Sequence, residues 1–387
     1  VTNKFKKRAT SDITKLAALV VAWRILLLVL SLFVTTKMPF NPQVAPTTLP
    51  GPMALHSTAR WDSAYYISIA TQGYSTSPTQ PMVAFFPLFP LLTALVSKLG
   101  LSILLSGFVI NCVAVFFASY FLFKLAGDFF KDKKLAYRAV LLFLFSPVAY
   151  FLAAFYTEAL FCALAFGAIW YARQSKWWAA SLLAGFATAT RLPGVILIGV
   201  VFIEYLDQIH FNWKKIRPNI LWLLLAPLGI VAHMIYLKNR TGDPLAFIHI
   251  TKLYWLYHVL TPNILQTIYN QGHLILSLIH DHKSADIQYL FDLILPYAAW
   301  LLTLAVTAWT FVKKLPWSYR TLGIASLLLF CINGNFISDH RYFIFFFPIY
   351  LFFTSITDDE SYGLALGASA ATMAVLLAAF ANSYWTG

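Results

Sequence analysis

Val83-Ala84-Phe85-Phe86-Pro87-Leu88-Phe89-Pro90 opens an apolar run that continues to Leu99, and whether this run crosses a membrane decides how the rest of the chain is threaded. Of the 387 residues, 60% are hydrophobic and 11% charged, more apolar surface than one soluble core of this length can hide. The expected fold class is all-α, a polytopic membrane protein in which residues 1–387 form a single membrane domain. Apolar runs fall at roughly 14–36, 83–99, 102–126, 139–155, 158–172, 177–190, 193–207, 219–238, 289–312, 320–338, 342–356 and 361–384. Each is read against the ~20 residues needed to cross a ~30 Å hydrocarbon layer.

Counting every run as a span breaks the topology. With the basic segment Lys4, Lys6, Lys7 and Arg8 inside, twelve spans would export Lys124, Lys131, Lys133, Lys134 and Arg138, against the cytoplasmic bias of Lys and Arg. The 83–99 run is short and carries Pro87 and Pro90 near its start; proline suits the opening of a helix and breaks its interior. Read as an interfacial or re-entrant helix on the outer side, it leaves about eleven spans, and the basic loops 124–138, 173–176, 213–217 and 313–320 all become cytoplasmic. Two long outer segments remain, 37–101 and 239–288. The first span has no small-residue cleavage site and is too long for a signal core, so it is expected to stay in the membrane.

The net charge of +13 is scattered between apolar runs, which reads as topology and not as a nucleic-acid patch. Cys112, Cys162 and Cys331 each sit inside an apolar run, so they read as packing residues and neither as a disulfide framework nor as metal ligands.

Chemistry is sought in the outer segments. Arg60-Trp61-Asp62 follows the first span, with Ser63-Ala64-Tyr65-Tyr66 after it. A helix starting near Asp62 puts Asp62, Tyr65, Tyr66 and Ile69 on one stripe. Taken alone, Asp62 serves equally well as a helix N-cap or as a reacting carboxylate. Glu158 in Phe155-Tyr156-Thr157-Glu158, Arg191 in Thr190-Arg191-Leu192-Pro193-Gly194, and Asp339-His340-Arg341-Tyr342 fall on the same outer side in this threading. Ionisable groups at membrane depth cost ~2.5–3.5 kcal/mol at the bilayer centre and usually line a cavity or pathway. Cations on the outer side also oppose the positive-inside bias, so Arg60, Arg191 and Arg341 need a local reason. Singly, each arginine reads as snorkelling to headgroups; together with Asp62 and Glu158 they read as one polar cavity whose guanidinium forks suit a phosphate. Arg24, inside the first span, is expected to make a structural ion pair. His280-Asp281-His282 receives no metal role, because i, i+2 spacing in a loop is weak. Lys252 and Trp255 read as interfacial anchors or sugar contacts.

These residues occur in a recognisable order. Arg60-Trp61-Asp62 with Tyr65-Tyr66 and Gly73-Tyr74, Phe85-Phe86-Pro87-Leu88-Phe89-Pro90, Ser146-Pro147 leading to Tyr156-Thr157-Glu158, Thr190-Arg191-Leu192-Pro193-Gly194, Gly242-Asp243-Pro244-Leu245-Ala246-Phe247, and Arg341-Tyr342 before Phe347-Pro348 cover most of the chain. Only the last span and the amino-terminal tail carry nothing diagnostic. The series resembles the GPI mannosyltransferase II (PIG-V-like) family, glycosyltransferases of the GT-C fold with prokaryotic members. Thr157-Glu158 stands where the family has Ser-Glu, and Leu192 where a small or polar residue is common.

The resemblance implies an enzyme that moves a sugar, mannose first, from a polyprenyl-phosphate carrier to an extracytoplasmic hydroxyl of a glycolipid, a GPI-like lipid or a cell-wall glycan. It also implies an acidic residue of the first outer loop at the reaction centre, which maps onto Asp62. A lipid phosphate is already a good leaving group, so one carboxylate suffices where a glycosidase needs two. The expected roles are Asp62 as catalytic base, Arg60, Arg191 and Arg341 on the donor phosphate, and Glu158, Tyr65, Tyr66, His340 and Asp243 positioning sugar or acceptor. No cofactor is required, and a divalent metal is not indicated by any paired Asp-x-Asp in the first outer loop. The expected partners are the polyprenyl-phosphate-linked donor, a lipid or glycan acceptor and membrane lipids, with no nucleic acid. The expected location is a bacterial or archaeal plasma membrane with the site on the outer face, or the lumenal face of an ER membrane; the short loops favour the former. The competing class is a transporter or lipid flippase with a buried charged pathway. Such proteins commonly carry internal repeats, and none is visible in this sequence; a membrane scaffold is the third reading.

Overall fold

The computed structural model describes residues 2–44, 51–254, 263–280, 290–332, 336 and 338–386. Trp255, Asp281 and His282 lie outside the described residues, as do the side chains of Lys252 and His280. Every regular element among the described residues is helical. The long α1 (Thr2–Lys37) is followed by α2 (Ser63–Gln72) and α3 (Leu88–Ser97) in the first connecting segment. A central group then comprises α4 (Ile103–Phe130), α5 (Lys133–Leu144), α6 (Glu158–Arg173), α7 (Trp177–Thr188) and α8 (Val195–Gln208). Next come a 3₁₀ segment (Pro218–Leu225), α9 (Leu228–Thr241), α10 (Ala246–Tyr254) and α11 (Ile264–His280). The chain ends with α12 (Leu295–Val312), α13 (Trp317–Ile332), the single turn α14 (Asp339–Tyr342), α15 (Pro348–Ile356) and α16 (Asp359–Ala381).

Four helices are long and apolar enough to cross a bilayer: Ser11–Lys37, Ile103–Phe130, Phe291–Val312 and Asp359–Ala381, with a fifth if Pro218–Leu225 and Leu228–Thr241, bent by 42°, form one span. The chain is an integral membrane protein, but helix length does not support about eleven full spans. The difference has a physical cause. α6, α7 and α8 have 16, 12 and 14 residues, ~18–24 Å at 1.5 Å per residue. α6 is enclosed by neighbouring helices on nearly every side, whereas α7 and α8 leave Trp178, Leu182, Phe186, Val195 and Phe202 exposed; apolar composition alone does not report the thickness that a helix traverses. α5 ends at Leu144, ahead of Ser146-Pro147, and 3₁₀ and irregular backbone continues to Thr157. The 83–99 run forms a 3₁₀ turn (Pro81–Ala84) and the ten-residue α3, ~15 Å long and so about half a span. Pro87 stands at the N-cap of α3 and Pro90 in its first turn, where a missing N–H breaks no helical hydrogen bond.

Arg24 makes no ion pair with a carboxylate among the described residues. Its guanidinium lies 4.5 Å from the Phe108 ring, with Nη1 3.5 Å from the Leu152 carbonyl oxygen. The irregular backbone between α5 and α6 presents carbonyls away from water, and such groups need internal partners. The three cysteines are free thiols, Cys162 and Cys331 buried.

At the break before α9 two helices touch backbone to backbone. A Cβ on Gly229 would lie 2.0 Å from the Gly185 carbonyl oxygen and 2.7 Å from the Ala189 nitrogen. Thr188 Oγ1 accepts the Ile230 N–H at 3.1 Å and sits 3.3 Å from the Ala226 carbonyl, satisfying groups that the break releases. Gly229→Ala is therefore expected to lower stability by ~1–3 kcal/mol, since the clash is with backbone that cannot rotate away. A lower thermal midpoint of the solubilised protein is the readout; an unchanged midpoint would mean that the helices separate there at no cost.

Candidate active site

Four charged side chains from distant parts of the sequence meet at helix ends. Asp62 occupies the N-cap position of α2 but makes no side-chain capping bond. Its Oδ2 instead accepts from Arg341 Nη1 at 3.2 Å, while its backbone N–H donates to the Tyr156 hydroxyl at 3.2 Å. The N-cap alternative therefore does not account for this carboxylate. Glu158 is the first residue of α6, where the helix dipole favours a negative charge. Arg191 is extended (φ −157°, ψ 151°) between α7 and the 3₁₀ turn Leu192–Gly194. Only glycine fits that turn at Gly194, because a Cβ would stand 2.5 Å from the Ala187 carbonyl oxygen. Arg341 lies on α14.

Glu158 binds both arginines. Arg191 Nη1 pairs with Glu158 Oε1 and donates to Thr157 Oγ1 at 3.0 Å. Arg341 Nε is 3.2 Å from Glu158 Oε1. The guanidinium of Arg191 stacks over Tyr342 at 4.5 Å, and that of Arg341 lies 5.3 and 5.4 Å from the rings of Phe151 and Tyr156. Among the described residues, two carboxylates and two guanidiniums balance in formal charge, as burial away from water favours. The members differ in access: the Asp62 side chain is 16% exposed against 2% for Glu158, 8% for Arg191 and 7% for Arg341. Asp62 is the more exposed of the two carboxylates. Burial pushes its carboxyl above the usual carboxylate range, and the attraction of Arg341 only partly offsets this.

The remaining sequence candidates divide. Tyr66 is buried, its hydroxyl 3.4 Å from Thr157 Oγ1, and Tyr65 stacks on Phe85 at 4.7 Å. Arg60 does not join the other arginines: its Nε donates to the Ala381 carbonyl at 2.9 Å and its guanidinium lies over Phe40 at 5.1 Å. The turn between Arg60 and Asp62, with Trp61 at φ 51°, sends the two side chains to different partners. Asp243 caps Leu245 N at 2.9 Å and holds His249 Nδ1 at 2.7 Å. His340 Nε2 faces the Thr386 carbonyl at 2.9 Å. Tyr156, Thr157 and Tyr342 contact the cluster although the sequence reading assigned them no role; their adjacency to Glu158 and Arg341 was the available signal. An apolar cavity of about 530 Å³ runs between α2, α3, α7 and α9, lined by residues including Ile69, Tyr74, Leu88, Leu91, Gly185 and Ala189. Ala189 is two residues from Arg191. Among the described residues no group of three or more His, Cys, Asp or Glu could hold a metal ion.

Comparisons with known proteins extend this description. The family model described as Mannosyltransferase (PIG-V) matches residues 11–237. GPI alpha-1,6-mannosyltransferase 2 of Cricetulus griseus is 33% identical over 155 residues, 38% of this chain and 31% of that protein. The Homo sapiens protein of the same name is 29% identical over 177 residues, 42% of this chain and 35% of that one. The matched stretch thus spans about a third of the length of these relatives. Among solved structures, the Archaeoglobus fulgidus oligosaccharyltransferase aligns with a TM-score of 0.48 at 13% identity, covering 94% of this chain and 53% of that chain. ArnT from Cupriavidus metallidurans aligns with a TM-score of 0.47 at 13% identity, covering 92% and 62%.

Proposed function

The chain belongs to the PIG-V mannosyltransferase family, and from that premise we propose that it transfers a sugar, mannose first, from a polyprenyl-phosphate carrier to an acceptor hydroxyl on the outer face of the membrane. The acceptor class is a glycolipid, a GPI-like lipid or a cell-wall glycan. The observation that carries the reading is the pairing of one accessible carboxylate, Asp62, with a buried guanidinium 3.2 Å away that also contacts Glu158. A base and an anion site lie within one hydrogen bond of each other.

In the reaction, Asp62 accepts the proton of the acceptor hydroxyl as its oxygen forms a bond to the anomeric carbon. The bond from that carbon to the carrier phosphate breaks on the opposite face, inverting the centre, and the phosphate departs with the electron pair. Arg191 and Arg341 receive the growing negative charge, which favours the transition state over the ground state. An arriving phosphate competes with Asp62 for Arg341 Nη1 and, on taking that bond, releases Asp62 for the acceptor. Glu158 remains beneath as the anchor of both guanidiniums. The apolar cavity beside Arg191 suits the isoprenoid chain, which needs contact area and no polar partners.

Purified protein in lipid nanodiscs, given radiolabelled polyprenyl-phosphate mannose and a membrane-lipid extract, is expected to yield a labelled acceptor. Flipping or uptake without transfer would favour the transporter class instead. Because the Asp62 carboxyl is raised, and a protonated carboxyl cannot accept a proton, kcat/KM is expected to fall with decreasing pH from above the ordinary carboxylate value of ~4. An acid limb centred at or below that value would contradict the assignment. Leu91→Trp, which narrows the cavity, is expected to raise the donor KM about tenfold, equivalent to ~1.4 kcal/mol, with kcat little changed. Equal kinetics in the two proteins would place the carrier chain elsewhere.

A further inference from the structure

Beyond α16 the backbone turns at Ser383, φ 65°, and residues Asn382–Thr386 run back over the two segments that carry Asp62 and Arg341. On the Asp62 side, the Tyr384 carbonyl accepts the Trp61 indole N–H at 3.3 Å, and the Trp61 and Trp385 rings meet edge to face at 5.2 Å. The Asn382 carbonyl accepts the Asn41 N–H at 2.9 Å. On the Arg341 side, the Thr386 carbonyl accepts the His340 Nε2–H at 2.9 Å, and Thr386 Oγ1 accepts the Tyr150 hydroxyl at 2.8 Å. The Trp385 indole donates to Asp292 Oδ1 at 2.9 Å, tying the same segment to the start of the α12 region. Thr386 is fully buried.

Both segments need such bracing. Trp61, directly before Asp62, has φ 51°, and Ser338, three residues before Arg341, has φ 66°. Side chains larger than glycine rarely adopt this left-handed region, and such conformations persist only where surrounding contacts over-determine them. The contacts of 382–386 fall on Trp61 itself and on His340, two residues past Ser338. They go to the neighbours of Asp62 and Arg341 and not to those two side chains.

We propose that residues 382–386 form a positioning strap that joins the Arg60–Asp62 turn to the Ser338–Tyr342 turn and so sets the separation of the base from the phosphate-binding guanidinium. Trp385 and Thr386 are its positioning residues. Their kinetic effect rests on the transfer reading above; the bracing itself does not. A shift of about 1 Å at a reacting group can cost about 100-fold in rate, so small losses of strap contact should appear in turnover before they appear in folding.

The test compares the wild-type chain with Trp385→Leu, Thr386→Val and the conservative Thr386→Ser, each in nanodiscs. Two readouts are taken: transfer kinetics with polyprenyl-phosphate mannose, and amide hydrogen exchange by mass spectrometry. Trp385→Leu and Thr386→Val are expected to lower kcat by about 10- to 100-fold with donor KM nearly unchanged, and Thr386→Ser to recover most of the loss. Exchange is expected to quicken at 60–66 and 338–342 while α4 and α6 keep wild-type protection. Wild-type kcat and wild-type exchange in both variants would overturn the proposal; so would exchange raised equally through α4 and α6, which would mark a general loss of packing. If wild type itself transfers no sugar, the transfer reading fails, and local against global exchange still decides the strap.

Discussion

Asp62→Asn is expected to leave the protein folded and to reduce sugar transfer by about 10²- to 10⁴-fold, the usual contribution of a positioned general base. Asparagine has nearly the same shape, and its carbonyl oxygen can still accept from Arg341 Nη1, which now holds Asp62 at 3.2 Å. What it loses is the capacity to take a proton at the pH of the assay. Arg341 keeps its contact with Glu158, so the substitution removes one charge from the cluster without stranding its partner. Donor binding should therefore persist, and the deficit should appear in single-turnover transfer with donor bound in advance. Asp62→Ala should be at least as slow. Near-normal turnover in Asp62→Asn would remove Asp62 from the role of base and leave it the structural part of holding Arg341.

Glu158→Gln is expected to be the most destabilising change at the site, by ~3–5 kcal/mol, the cost typical of removing one partner from a buried ion pair. Glu158 is 2% exposed and meets two guanidiniums at one oxygen. Without its charge, Arg191 and Arg341 lose the carboxylate that they share, and Asp62 is the carboxylate left in contact with Arg341 among the described residues. The double substitution Glu158→Gln with Arg191→Gln removes a charge of each sign and should recover part of the loss, a non-additivity expected of residues in one network. Thermal midpoints of the single and double variants measure this. A single variant as stable as wild type would mean that Glu158 is not carrying a charge in the folded protein.

The members of this cluster were legible in the sequence as a set before any of them could be placed. Asp62, Glu158, Arg191 and Arg341 stood out because charge is scarce in this chain, and because the threading expected from sequence puts the arginines on the side that membrane insertion disfavours for cations. Arg60 carried the same signal and proved different. Two positions from Asp62 in sequence, it points to the Ala381 carbonyl across a turn, and a turn separates side chains that sequence proximity suggests are together. The count of about eleven spans is not confirmed by helix length for a related reason: a 12-residue helix such as α7 and a lipid-crossing helix are equally apolar. The 83–99 run was separable because its prolines mark a helix start, and its ten-residue helix is too short to cross.

By itself, the sequence determined a helical membrane protein, the family to which it belongs and the small group of ionisable residues from which a site could be built. These follow from composition, from the energetic penalty on charge in lipid, and from short motifs kept in order. Only the tertiary structure decided that Arg341 and not Arg60 meets Asp62, that Glu158 contacts both arginines, and that residues 382–386, which the sequence did not single out, bind both turns that present the site. Those outcomes depend on the directions of side chains at helix ends, set by a left-handed Trp61 and Ser338 and by backbone carbonyls as partners. Every residue type carries the same carbonyl, so a contact made through it leaves no mark on the amino-acid sequence.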